Sequence, residues 1–168
     1  AGGKAKVIQA DLTDPLAVER AVSDTIAEFG HIDVLAHCAG AYTAWKPIRS
    51  LTADEWTGFL DADLTGFFYV LAACVRHMHE RKKGSIVAVS SIAAQACQPR
   101  GGQAAAAKAG LDALVRVVAK EEGRHGIRAN AICPGLIWTP MVPGQDGSRV
   151  PPPGTPPPPL MPMGRWGL

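Results

Sequence analysis

The sequence predicts an α/β fold: a doubly wound parallel sheet of about four strands with three main helices, followed by a proline-rich C-terminal tail. Three observations predict it. Short apolar runs of strand length alternate with longer stretches of helical spacing, and that alternation implies parallel pairing, right-handed crossovers and helices on both sheet faces. Suggestive polar or glycine residues stand just after each apolar run. Beyond Pro134 all periodicity stops, and Val150 to Pro162 holds eight prolines in thirteen residues, which excludes helix and central strand.

Lys6 to Ala10 reads as a first buried strand ending at Asp11. Thr13-Asp14-Pro15 then opens a helix, with proline in the first turn and a capping side chain available. Leu16, Val18, Ala21, Val22, Ile26 and Phe29 follow at helical spacing, and Gly30 supplies a left-handed stop. Asp33 to His37 is a second apolar run, leading through Cys38-Ala39-Gly40 into a loop. Thr52 with Glu55 makes a capping box for a long helix to about His79, carrying Trp56, Phe59, Leu60, Phe67, Phe68, Leu71 and Val75. Ser85 to Ser90 is a third strand, about Gln103 to His125 a third helix with Leu111, Leu114, Val115 and Val118 inward, and Ile127 to Cys133 a fourth strand. Two regions result, a partial α/β domain over 1–140 and a loop-like tail over 141–168, for which a polyproline ligand is the alternative reading.

With 168 residues, 47% hydrophobic and 19% charged, the chain suits one domain with a sizeable core. Seventeen basic and fifteen acidic residues are scattered along it, so no electrostatic footprint for nucleic acid or an anionic membrane is expected. A small neutral or anionic ligand fits better. Cys38, Cys74, Cys97 and Cys133 stand too far apart for a metal clamp or redox dithiol and are expected to be reduced, buried thiols. No apolar run reaches about 18 residues and the start lacks the apolar core of a signal peptide, so the expected location is cytoplasmic. No metal site is expected. His77 with His79, and Asp61 with Asp63, lie two apart on a helix and point different ways.

In an open parallel sheet, ligands bind beyond the carboxyl ends of the strands. Four such ends carry Asp11-Leu-Thr-Asp14, His37-Cys-Ala-Gly40, Ser90-Ser91 and Pro134-Gly135. Together these residues resemble the short-chain dehydrogenase/reductase family, from Lys6 to about Gly167. That resemblance implies a partial Rossmann-like fold and NAD- or NADP-linked interconversion of an alcohol and a carbonyl on a small-molecule substrate. It implies that Asp11 and Leu12 contact the adenine ring, that Ala39 and Gly40 let backbone approach the cofactor, and that Pro134, Gly135, Ile137 and Thr139 line the nicotinamide. Ser91 would hydrogen-bond the substrate oxygen, Lys108 would bind the nicotinamide ribose, and Asp63 would take the place of a relay asparagine. In relatives the helices corresponding to 52–79 and 103–125 pack against a second subunit, which implies a homo-oligomer.

The family places a tyrosine thirteen residues after that serine and a lysine four further on. Counting from Ser91, those positions are Ala104 and Lys108. Residues four apart share a helix face, so a side chain at 104 stands beside the Lys108 ammonium. Alanine offers no proton, and a positioned acid contributes about 10² to 10⁴ in rate. The asparagines of the family turn correspond to His37 and Cys38. Asp63 falls on an apolar stripe, where an unpaired carboxylate is costly, so it is expected to have a partner in Lys108. The resemblance begins after the family's glycine-rich phosphate turn, so the chain is expected to be truncated at both ends. Impaired or absent activity follows; a non-catalytic interaction protein derived from the family is the alternative.

Overall fold

The computed structural model describes residues 2–139 and 154–156. Two compact units divide at Ile132/Cys133, and each is taken by itself; residues 141–153 and 157–168, most of the proline-rich tail, lie outside the described residues. In the first unit, helix α1 (Pro15–Phe29) starts where Asp14 Oδ1 accepts from the Leu16 amide at 2.9 Å and stops at Gly30, whose φ of 83° is left-handed. Strand β1 spans Val34–His37. Helix α2 (Ala53–Leu60) begins on the expected capping box of Thr52 and Glu55. A wider π turn (Asp61–Thr65) joins it to α3 (Gly66–Arg81), and the three run as one helix of 29 residues. Strand β2 (Gly84–Val89), the short α4 (Ala93–Ala96), the long α5 (Gly102–Glu122), a 3-10 turn (Gly123–His125) and strand β3 (Ile127–Ile132) complete the unit.

The sheet is parallel in the order β1-β2-β3, with Val34 opposite Ser85 and Gly84 opposite Ile127. Phe67, Leu71, Cys74 and Met78 of α3 meet Ile86 and Ala88 of β2, Leu111, Val115 and Val118 of α5, and Ile127 and Ala129 of β3 in one core. The α/β class is as the alternation predicts. The Ala53–Arg81 helix is long and apolar enough to cross a membrane by length and composition, although no charge-free run in the sequence suggests it. Its stripe of Phe59, Phe67, Leu71, Cys74 and Met78 is buried within the unit.

Three expectations are corrected. Lys6–Ala10 forms no strand: Val7 is 95% exposed, and the segment is tied to α1 through ion pairs from Lys4 and Lys6 to Glu28. A strand needs ladder partners that its own sequence cannot supply. Second, the helices gather on one face. The strand order never reverses, so successive right-handed crossovers all fall on the same side. On the other side Val34, Ala36, Arg128, Asn130 and Ile132 are exposed, while Ser85, Val87 and Val89 are half-buried. Third, only Cys74 is a buried thiol; Cys38, Cys97 and Cys133 are exposed, being in loops just beyond elements rather than inside them.

Candidate active site

The carboxyl ends of β1 and β2 face a buried ion pair between the π turn and α5. Lys108 Nζ donates to Asp63 Oδ1 at 3.3 Å and stands 3.1 Å from Oδ2, the latter a charge contact rather than a directed hydrogen bond. It also donates to Val89 O at 3.3 Å, the last carbonyl of β2. The side chain of Asp63 is 1% exposed and that of Lys108 13%. Asp63 Oδ1 accepts a further hydrogen bond from the Ala41 amide at 3.0 Å, so the loop after β1 is fastened to the same carboxylate. Lys108 is therefore the partner that the apolar setting of Asp63 demands.

Gly40 sits against this pair. A Cβ at position 40 would lie 3.1 Å from Asp63 Oδ1 and 3.7 Å from Lys108 Nζ, so glycine lets the loop approach the ion pair a few tenths of an ångström more closely than a side chain would. His37, the last residue of β1, is 4% exposed, with its ring 4.7 Å from that of Phe67 and its Nε2 without a hydrogen-bond partner among the described residues. Burial, then the nearby Lys108 charge, lowers its pKa, with Asp63 opposing. The sequence marks His37 as part of a strand end where ligands bind and as a departure from a family turn, without a role of its own. Its place in the pocket comes from β1 ending level with the Asp63–Lys108 pair, which no local spacing encodes.

Ser91 is the second residue beyond the end of β2. Its Oγ accepts from the Ala93 amide at 3.1 Å, which opens α4, and no acceptor among the described residues takes its hydroxyl proton. The neighbouring Ser90 is 4% exposed and its hydroxyl donates to Lys108 O at 3.5 Å. The serine tip of β2 and the lysine turn of α5 are thus fastened to each other twice, through Ser90 and through Val89. Ala104, one turn before Lys108, places a half-buried methyl on that face. Gln103 beside it is 2% exposed and donates to Glu55 O at 3.0 Å, tying α5 to α2.

Asp11 and Leu12 lie at the start of α1. The Thr13 amide and then its hydroxyl, at 2.9 and 2.8 Å, hold the exposed Asp11 carboxyl below the usual carboxylate range. Leu12 packs on the first residue of α3, where a Cβ on Gly66 would meet Leu12 Cβ at 3.1 Å. Ala39 is exposed beside Gly40. The structure thus groups Ala39, Gly40, Asp63, Ser91 and Lys108 at one end of the sheet, with Leu12 against the helix that carries Asp63 and the Asp11 carboxyl turned to Thr13. Pro134, Gly135, Ile137 and Thr139 belong to the second unit, where each is half-buried.

Comparison with known proteins gives consistent matches. A family model described as enoyl-(acyl carrier protein) reductase matches residues 1–150. The short-chain reductase protein NovJ of Streptomyces niveus is 39% identical over 144 residues, which cover 84% of this chain and 53% of that protein. The crystal structure of a 3-ketoacyl-ACP reductase from Sinorhizobium meliloti 1021 superposes with a TM-score of 0.79 at 38% identity, over 82% of this chain and 55% of that one. The crystal structure of NAD+-bound xylitol dehydrogenase superposes with a TM-score of 0.74 at 32% identity, over 76% and 49%. The chain spans about half the length of the curated relatives it matches.

Proposed function

This chain belongs to the short-chain dehydrogenase/reductase family, and from that premise we propose that it carries the nicotinamide-side half of an NAD(P)-linked site for alcohol–carbonyl interconversion. The observation that supports this most is the Lys108 ammonium, buried against Asp63 and the last carbonyl of β2, next to the strand tip that bears Ser91. An ammonium has three donors. Asp63 Oδ1 and Val89 O take two, which leaves one N–H of Lys108 to hold a ribose hydroxyl. Ser91 keeps its hydroxyl proton for a substrate oxygen.

The fit of Lys108, Asp63 and Ser91 is to the nicotinamide side. A diphosphate needs free amides at a helix N-terminus; those of α1 and α2 are capped, by the Asp14 carboxylate and by Thr52 with Glu55, while α5 starts at Gly101 without a side-chain cap. When bound, the nicotinamide supplies or accepts the hydride. What this chain's residues lack is the proton: Ala104 stands where an acid would meet the developing oxygen charge, and losing such a group costs about 10² to 10⁴ in rate. The chain is therefore proposed to bind weakly and to turn over poorly by itself.

Titration of the chain with nicotinamide mononucleotide, followed by amide NMR, tests the site without requiring turnover. Shifts confined to residues near Ser91, Gly40 and Lys108, and lost in Lys108→Met, are expected; shifts elsewhere, or none, reject the assignment. The impairment is tested by nicotinamide oxidation against a carbonyl panel, which should be silent for the chain and for Ala104→Tyr. Turnover by the unaltered chain would sink it.

A second reading, a non-catalytic protein that dimerises through α3 and α5, is favoured by one feature. An open groove of about 390 Å³ runs between these helices, lined by Leu64, Phe68, Ala113, Leu114 and Val117, and Phe68 and Val117 are 48% and 46% exposed. Light scattering discriminates: a defined dimer that binds no nucleotide supports this reading, and a monomer that binds one removes it.

A further inference from the structure

We propose that His79, Glu122 and His125 form a binding site for a divalent transition-metal ion of the zinc class, at the end of the sheet opposite the Lys108–Asp63 pair. The three come from three elements, of which α3 and α5 share the core and the third follows α5 directly. His79 lies in the last turn of α3, Glu122 is the last residue of α5, and His125 closes the 3-10 turn that leads into β3. One ligand atom from each lies within 4.8 Å of the others. His79 Nδ1 is 2.6 Å from Glu122 Oε2, and the two imidazoles stand with centroids 4.3 Å apart at 54°.

A tetrahedral zinc ion with bonds of about 2.0–2.1 Å holds its ligand atoms about 3.3 Å apart. The His79–Glu122 contact at 2.6 Å is shorter than that value and every pair lies within 4.8 Å, so loading asks that contact to open slightly and the third ligand to close by at most about 1.5 Å. Two imidazoles and one carboxylate suit zinc, cobalt, nickel or copper, and disfavour magnesium or calcium, which take oxygen. The Glu122 side chain is 16% exposed, whereas that of His79 is 49% exposed; the carboxylate is seated and the cluster remains reachable. The fourth position is left to water.

Two neighbours sharpen the assignment. His77, two residues earlier on α3, accepts from the Ile32 amide at 3.3 Å and takes no part. Arg124 Nε donates to His125 Nε2 at 3.1 Å, so His125 ligates through Nδ1 or displaces that guanidinium. The site is also separate from the chemistry proposed above. Lys108 and Glu122 are fourteen residues apart on one helix, about 21 Å at 1.5 Å per residue, so metal loading and nucleotide binding can each fail without the other.

The test uses the full chain, free of any affinity tag and with its exposed cysteines alkylated so that no thiolate competes. Cobalt(II) is titrated first, because a tetrahedral site gives intense visible absorption. Zinc(II) is then followed by calorimetry and thermal melting. The expected result is one ion per chain and, at free zinc about 100-fold above Kd, a rise in Tm of roughly 5–10 °C. His79→Asn, His125→Asn and Glu122→Gln should each weaken binding about tenfold or more, while His77→Gln leaves it unchanged. All four variants are checked for native circular dichroism. Equal affinity in the His79→Asn/His125→Asn double variant, or no rise in Tm with zinc, overturns the proposal.

Discussion

Removing Lys108 should destabilise the fold far more than removing an ordinary helical lysine. In Lys108→Met the stem is replaced by a side chain of similar length, but Asp63, 1% exposed, loses its only counter-charge within 3.3 Å among the described residues and keeps a single amide, that of Ala41. Breaking a buried pair by deleting one partner costs about 3–5 kcal/mol. For a chain of this size each kcal/mol shifts Tm by about 2–4 °C, so the loss should be roughly 6–20 °C. Asp63→Asn keeps an oxygen for both the Ala41 amide and Lys108 and should cost only about 1–2 kcal/mol. The double variant should be markedly more stable than the sum of the two losses predicts, because neither charge is left buried alone. Urea unfolding of the four proteins closes the cycle. If Lys108→Met loses less than about 1 kcal/mol, below the range for a broken buried pair, or the two changes add, then the pair is a surface-like contact and does not organise the strand ends.

The remaining expectations concern the same fold. Burial first, and the Lys108 charge second, lower the His37 pKa in the folded state, so between that value and the unfolded value near 6.5 the unfolded chain binds more protons. Its contribution is present above about pH 6.5 and lost as pH falls. The urea midpoint should drop between pH 7.5 and 5.5, and by less in His37→Gln; an equal drop excludes His37 as the source. Gly30 and Gly126 are both left-handed, with φ of 83° and 76°, but a Cβ on Gly30 meets open space while one on Gly126 falls 2.6 Å from Lys82 O. Gly30→Ala should cost about 1–2 kcal/mol from backbone strain alone. Gly126→Ala should cost about 1–3 kcal/mol more from the clash, and similar losses for both would show that the Lys82 carbonyl moves freely.

Local chemistry made much of this chain readable in advance. The Thr52–Glu55 capping box, the Asp14 and Gly30 ends of α1 and the apolar stripes of α3 and α5 depend on neighbours within four residues, so the sequence settles them. So does the sharing of one face by positions 104 and 108. Lys6 to Ala10 reads as a strand yet forms none, because apolar composition says only that a segment could pair, and the partners of a ladder lie elsewhere in the fold. The placement of all helices on one face follows from the order β1-β2-β3, which is a property of the assembled sheet.

What the sequence determined by itself was the set of elements and the residues at their tips, Ser91, Gly40 and Lys108 among them, because helix period, strand length and caps are short-range. Tertiary structure decided the geometry in which the tips meet. Asp63 and Lys108 are 45 residues apart, and His79 and Glu122 43 apart; the first pairing is expected from the apolar setting of Asp63 and the family resemblance, whereas the second rests on packing of α3 against α5 around a shared core, whose burial is non-directional and leaves no mark in the local spacing of either helix.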